Sequence, residues 1–97
     1  MTTTSGIDEA ESLANGLVES QLAACVQILP KMRSVYSWEG KIATDDEHLL
    51  LIKTLPQKYE AVEEYILDRH SYDTPEIVAI DAEKVSASYL KWLTDTL

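Results

Sequence analysis

The sequence predicts one mixed α+β domain whose strands form an antiparallel sheet. Its 97 residues are enough for one hydrophobic core and too few for two. The spacing of apolar residues alternates between the helical period of about 3.6 and the strand period of about 2, in the order α-β-β-α-β-α. The first two strands flank a short turn and so form a hairpin, which makes the sheet antiparallel.

The composition excludes several classes of protein. Hydrophobic residues make up 45% of the chain, too many for a disordered segment. Lys and Arg number 8 against 17 Asp and Glu, a net charge of −9, so we expect no nucleic-acid partner, because phosphate binding needs clustered cations. Charges dispersed along the chain argue against a membrane partner. The single cysteine, Cys25, cannot form an internal disulfide, and we expect no secretory leader and a cytoplasmic location.

Three segments have the apolar spacing of helices. The first covers about residues 7–20, and Ser5 is placed to cap it. A second helix is predicted from Thr54, which can cap it, with Pro56 in the first turn, where a missing N–H costs nothing. The third begins at about Ser86. These helices supply the layer that covers the sheet.

The hairpin is built from two runs of strand-forming residues. Residues 24–38 and 41–53 lie on either side of a Glu-Gly turn, and Pro30 interrupts the first run. Three consecutive acidic residues at 45–47 indicate a solvated bend or bulge in the second run. The sequence therefore predicts one long hairpin with local interruptions.

Two further segments are short. Residues 77–80 read Ile-Val-Ala-Ile and predict a buried strand. Only residues 1–4 precede the first helix, and three of them are threonines, which are good strand formers. We expect this stretch to be a strand reduced to a stub.

The length of the hairpin predicts an oligomer. Residues 24–38 would span roughly 50 Å as a strand at about 3.3 Å per residue. A domain of this size is only about 30 Å across, so the hairpin tip must overhang it. The alternatives are a homo-oligomer, in which each hairpin packs on a neighbouring subunit, and an arm folded back over its own domain. We favour the oligomer, because the overhang carries large side chains that need an interface: Val35, Tyr36, Trp38 and Ile42.

Five segments in order resemble the CutA divalent-ion tolerance proteins. They are Leu-Ala-Ala-Cys-Val at 22–26, Tyr-Ser-Trp-Glu-Gly-Lys-Ile at 36–42, Lys-Thr at 53–54, His-Ser-Tyr-Asp-Thr-Pro-Glu-Ile at 70–77 and Tyr-Leu-Lys-Trp-Leu at 89–93. The resemblance extends over residues 1–97 as a single CutA-like domain. It implies a ferredoxin-like α/β sandwich with a C-terminal helix, and a homotrimer whose protruding hairpins clasp adjacent subunits.

The resemblance also implies a metal site. Copper-binding members carry a cysteine at the end of the first strand, where this sequence has Thr4, and a hydroxyl is a poor ligand for Cu(I). His70 and Glu76 are the candidate ligands that carry over, for Cu or another divalent cation. The shortened first strand leaves two alternatives: residues upstream are missing from this chain, or the trimer supports a weakened sheet centre.

Each candidate residue also has a structural interpretation. His70 follows a helix, where the dipole favours an imidazolium, and one histidine with one carboxylate does not make a metal site. Cys25 lies in an apolar run and is interpreted as a small buried hydrophobe. Without further ligands, the residues indicate no firm cofactor.

Two classes of function remain. The first is a trimer concerned with tolerance of divalent metals, copper especially, which binds metal weakly or acts through a regulatory contact. The second is a small-molecule-sensing or scaffold trimer with pockets between subunits. We expect no enzyme, because the sequence has no Gly-rich phosphate loop, HExxH or CxxC motif.

Overall fold

The computed structural model describes residues 1–97 and contains a four-stranded antiparallel sheet and three α-helices, which confirms the predicted α+β class. A 3₁₀ turn, Pro56–Lys58, precedes the second helix. In chain order the elements are β1 (Thr2–Thr4), α1 (Ile7–Glu19), β2 (Cys25–Ile28), β3 (Met32–Trp38), β4 (Lys41–Lys53), α2 (Tyr59–Arg69) and α3 (Ala87–Thr96). None of the helices is long and apolar enough to cross a membrane.

Strand β4 is the centre of the sheet. Its C-terminal half lies between β1 and β2, with Thr3 opposite Leu49 and Gln27 opposite Leu51. Its N-terminal half pairs with β3 alone. We call this two-stranded part, β3 with residues 41–47, the arm, and the rest of the subunit the body.

A bulge separates the arm from the body. Ile28 lies opposite Leu50 and Met32 opposite Glu47, so three residues of one strand face two of the other. The extra residue falls in the segment that contains Pro30, which cannot donate to the ladder. The prediction of a bend at residues 45–47 is therefore wrong, because these residues of β4 pair regularly with β3. The irregularity lies on the opposite strand, between Ile28 and Met32.

The arm overhangs the body as its length predicts. Glu39 and Gly40 have φ angles of 50° and 76°, the positive values of a tight hairpin turn. The subunit measures 45 × 26 × 23 Å, and the long axis exceeds the width expected for a compact domain of this size. The arm does not fold back, because Ile42 at its tip is 82% exposed.

Helices α1 and α2 cover one face of the body and form the core. Buried side chains of both helices meet Leu50 and the partly buried side chains of β2 and β4. The core consists of Ala10, Leu13, Leu17, Ala23, Leu50, Val62 and Ile66. In α3 only Leu93 is buried, while Leu90 and Trp92 remain partly exposed. The opposite face of the sheet carries no helix layer and is open.

The helix starts differ from the predicted caps. Gly6 is the N-cap of α1, and no side chain caps it, so the capping role of Ser5 is wrong. The hydroxyl of Thr54 does not cap α2 either, because it donates a 2.6 Å hydrogen bond to the carbonyl oxygen of Leu22. The hydroxyl of Thr54 thus has a polar partner elsewhere that competes with the helix terminus.

The predicted strand at residues 77–80 does not form. Its ladder is limited to one residue pair: Val78 N–H donates to the Met1 carbonyl oxygen at 3.0 Å, and the Met1 ammonium donates to the Val78 carbonyl oxygen at 2.7 Å. Val78 is the one residue of the segment that pairs with β1, and Ile80 is 75% exposed. The stub prediction for β1 is confirmed, since Thr2–Thr4 pairs with β4.

Candidate functional site

The open face of the sheet holds a groove of about 880 Å³ between the arm and the loop that follows α2. Side chains of β1, β3 and β4 form its floor, because alternate residues of a strand share one face. Apolar and aromatic residues line it, among them Met32, Tyr36, Trp38 and Leu49. No lysine or arginine lines the groove, whereas five carboxylates do: Asp45, Asp46, Glu47, Asp73 and Glu76.

Glu47 is the buried carboxylate of this groove. It is 8% exposed, and the Tyr72 hydroxyl donates a 2.9 Å hydrogen bond to its Oε2. Burial, followed by the hydrogen bond to Glu47, raises the pKa of Tyr72 to about 12. The phenol therefore remains a donor over the whole physiological pH range. The interpretation of residues 45–47 as a solvated acidic stretch is wrong for Glu47.

Both ring nitrogens of His70 have hydrogen-bond partners. Its side chain is fully buried, and Nε2 lies 2.7 Å from the Thr3 carbonyl oxygen. The backbone N–H of Tyr72 donates to Nδ1 at 3.0 Å. Since the carbonyl can only accept and the amide can only donate, the imidazole is the neutral tautomer with its proton on Nε2. The ring also packs on Tyr72, with centroids 4.8 Å apart.

A second attachment fixes the same loop to helix α1. Glu9 accepts hydrogen bonds from the backbone N–H of Ser71 at 2.8 Å and from its hydroxyl at 3.0 Å. The nearer Glu9 oxygen lies 3.9 Å from His70 Nδ1. Residues 70–72 thus contact β1 through His70, α1 through Ser71 and β4 through Tyr72.

Thr4, His70 and Glu76 do not form one metal site in the subunit. Thr3 and Glu76 line the groove, whereas Thr4 is on the helix-covered face, fully buried, and donates to the Gly6 carbonyl oxygen at 3.0 Å. Nowhere in the subunit do three His, Cys, Asp or Glu side chains come together to hold a metal ion. One subunit therefore does not fit a three-ligand copper site. Coordination by His70 and Glu76 stays a prediction.

The predicted interface residues are exposed on the arm. Val35 is 66% and Trp38 54% exposed, with Ile42 still more so. Tyr36 is less exposed, and its hydroxyl donates to Asp45 across the two strands of the arm. This hydrogen bond raises the pKa of Tyr36. The arm therefore presents a large apolar surface with no partner in its own subunit.

Sequence reasoning did not single out Glu47, Tyr72 and Glu9, whose hydrogen bonds hold the loop against β4 and α1. A glutamate within an acidic run is usually solvated, and the donor that allows Glu47 to be buried lies 25 residues away in sequence. The one local signal was the buried apolar stretch immediately after Glu47, which places that residue at the boundary of the body. Cys25 is a free thiol and only half-buried, so its interpretation as a buried residue is wrong for the isolated chain.

Comparison with known proteins identifies the family. The sequence pattern described as "CutA1 divalent ion tolerance protein" matches residues 1–96. The chain belongs to the CutA1 family. It is 43% identical over 89 residues to "Protein CutA, chloroplastic" of Arabidopsis thaliana. The aligned region covers 92% of this chain and 49% of that protein.

Bacterial and archaeal CutA proteins are similar over most of their length. The "Divalent-cation tolerance protein CutA" of Thermus thermophilus is 41% identical, over 89% of this chain and 84% of that protein. The solved structure of the periplasmic divalent cation tolerance protein CutA from Archaeoglobus fulgidus superposes with a TM-score of 0.95 at 38% identity, over 98% and 92% of the two chains. Against the plant relative, however, this chain spans about half the length.

Proposed function

We propose that this chain assembles through its arm into a homotrimer that serves divalent-cation tolerance, copper among the cations, and catalyses no reaction. The observation that carries the proposal is the exposed arm of a CutA1-family subunit. An isolated two-stranded ribbon is marginal in water, and its apolar side chains need a second surface. In each subunit, Val35, Trp38 and Ile42 are the exposed apolar side chains that need such a surface on a neighbour.

The groove supports the cation part of the proposal. Asp46 is paired with Lys31 and Arg33, and the Met1 ammonium lies near Glu76. The carboxylates of the groove still outnumber its cations and give a negative potential that concentrates cations. Oxygen donors of this kind suit hard divalent ions, whereas Cu(I) prefers a thiolate. We therefore expect weak cation binding at the groove, completed by groups from a neighbouring subunit.

Calorimetric titration with Cu²⁺ and other divalent ions tests direct binding. At physiological salt, we expect binding in the micromolar range that Glu76→Gln weakens about tenfold, because an anionic carboxylate ligand is replaced by a neutral amide. The matched control is Glu83→Gln, an exposed carboxylate outside the groove. Absence of heat with every divalent ion, in a protein that still self-associates, would contradict direct binding.

A second candidate function is small-molecule sensing or scaffolding. The groove volume of about 880 Å³ lies within the range of ligand pockets, and Tyr36 and Trp38 can stack on a planar ligand. A trimer that binds no divalent ion but shows a ligand-induced change in Trp38 fluorescence would favour this alternative.

A further inference from the structure

We infer that Glu47, Tyr72 and His70 form a hydrogen-bonded chain that fixes the arm on the body, and that this positioning, not metal coordination, is the role of His70. We call these three residues the root clasp. The inference concerns one subunit. Of the measurements that test it, only the assembly constant depends on the proposed function.

Glu47 lies where the arm needs a support. It is the last residue of β4 that pairs with β3, opposite Met32, and the bulge follows on the other strand. At a bulge the ladder is disrupted and the strand bends, so the pairing itself does not define the angle of the arm. A contact from the body to this residue defines that angle, and Tyr72 provides it.

The chemistry of Glu47 makes this contact strong. Its carboxylate forms no ion pair in the subunit, since Lys31 and Arg33 both pair with the neighbouring Asp46. Hydrogen bonds to a charged acceptor are stronger than neutral ones, and a buried carboxylate that loses its donor is costly. We call residues 32–35 and 45–48 the arm root. Without the Tyr72 hydroxyl, Glu47 must move towards water, and the arm root must move with it.

His70 holds Tyr72 in place from the other side. Its Nδ1 accepts the backbone N–H of Tyr72, its ring packs on the phenol, and its Nε2 proton anchors both to the Thr3 carbonyl. The chain of contacts therefore runs from β1 through His70 and Tyr72 to Glu47 in β4.

Metal coordination and the clasp exclude each other at His70. A metal ion needs a free lone pair, and the only lone pair on the ring, at Nδ1, already accepts the Tyr72 amide. Coordination would break this hydrogen bond and release Tyr72 from its position. Metal binding at the groove therefore leaves His70 unligated.

Local hydrogen exchange of Tyr72→Phe tests the clasp. The substitution removes the hydroxyl and keeps the ring. We expect the amides of residues 32–35 and 45–48 to exchange about tenfold faster, with the α1 amides unchanged, because the arm root loosens without global unfolding. Tyr59→Phe is the matched control: it removes a hydroxyl that donates to Glu63 at 2.7 Å on α2. Equal exchange at the arm root in Tyr72→Phe and wild type would overturn the inference.

Glu47→Gln and Glu47→Ala separate positioning from general packing. Glutamine keeps an oxygen that accepts from Tyr72, so we expect near wild-type exchange at the root, whereas alanine loses the acceptor and resembles Tyr72→Phe. Loss of protection with both substitutions alike would contradict the hydrogen-bond mechanism. In sedimentation equilibrium, we expect Tyr72→Phe to weaken assembly about tenfold and Tyr59→Phe to leave it unchanged.

These readouts distinguish failure of the clasp from failure of the proposed function. If the wild type is a monomer but Tyr72→Phe still accelerates exchange at residues 32–35 and 45–48, the trimer is contradicted and the root clasp is supported. If the wild type is a stable trimer but Tyr72→Phe leaves this exchange unchanged, the root clasp is contradicted and the trimer is supported.

Nitrogen-15 NMR of the imidazole tests the role of His70. We expect the pattern of the neutral tautomer protonated on Nε2, unchanged when Zn²⁺ is added in excess. A metal-induced shift of the His70 Nδ1 resonance would show coordination and overturn this part of the inference. His70→Gln provides the second arm: we expect it to loosen the arm root and leave the Zn²⁺ affinity unchanged.

Discussion

Thr2 is the buried residue with an unsatisfied polar atom. Its side chain is fully buried in the core, and its Oγ1 has no hydrogen-bond partner. An unpaired buried hydroxyl costs roughly 1–3 kcal/mol. Thr2→Val keeps the shape and removes the hydroxyl, so we expect the free energy of unfolding to rise by about 1 kcal/mol, measured by denaturant titration at a fixed subunit concentration.

Thr4→Val is the matched control on the same strand. Thr4 is equally buried, but its hydroxyl donates to the Gly6 carbonyl oxygen. Its loss is expected to lower the free energy of unfolding by about 1 kcal/mol. Changes of the same sign in both variants would contradict this assignment of hydrogen bonds.

Tyr72 makes stability depend on alkaline pH. Its pKa is raised from 10.0 to about 12 in the folded protein, so its contribution is complete below pH 10 and is lost as pH rises towards 12. We expect the difference in unfolding free energy between wild type and Tyr72→Phe to shrink over this range. Tyr36 and Tyr59 also have raised pKa values but are common to both proteins. A difference independent of pH would contradict the assignment.

Residue roles were the hardest part to predict from the sequence. The exposed positions Val35, Trp38 and Ile42 follow from local pattern, because the hairpin is longer than the body that could cover it. Glu47 could not be predicted, since its burial depends on a donor from a distant loop. His70 was identified as a special residue, but its two hydrogen-bond partners belong to different elements.

At the scale of elements, Gly16 is the position at which α1 packs closely against the Tyr65 side chain of α2. A Cβ at this position would lie 1.8 Å from the Tyr65 hydroxyl oxygen and 2.8 Å from its ring carbon Cζ. Tyr65 cannot easily retreat, because it packs on the core and its ring is stacked under Arg69 at 3.8 Å. We expect Gly16→Ala to lower the free energy of unfolding by roughly 1–3 kcal/mol, although the same change in a free helix raises it by about 1 kcal/mol.

The control for this prediction is the preceding residue. Asn15 is exposed on α1, so Asn15→Ala reports helix propensity alone and should be neutral or slightly stabilising. In a Tyr65→Leu background the clash is absent, and Gly16→Ala should then stabilise the helix. Destabilisation by Gly16→Ala that persists in that background would show a different cause.

Two helices were predictable from sequence because their apolar period is local: α1 was expected at about residues 7–20 and α3 from about Ser86, each within one residue of the observed position. The second helix was expected from Thr54, but α2 begins at Tyr59, after a 3₁₀ turn. Strands depend on partners far along the chain, and here the predictions failed in two places. The bend lies at Pro30 and not at the acidic run opposite, and residues 77–80 pair with the N-terminal segment at Val78 alone.

At the scale of the whole molecule, the arm surface should control assembly. Ile42 is largely exposed in the subunit, so Ile42→Asp removes no internal contact and should leave the free energy of unfolding of the monomer unchanged. At an apolar interface the same carboxylate is buried without a partner, and we expect the assembly constant to fall by at least about 100-fold. Ser12→Asp, exposed on α1, is the control in sedimentation equilibrium. Equal assembly of both variants would place the interface elsewhere.

The most direct test of the account is the solution mass of the wild-type chain by light scattering at low micromolar concentration. The proposed homotrimer predicts a single species of three times the 10.9 kDa chain mass. A stable species at the mass of one chain would contradict the claim that the arm packs on a neighbouring subunit.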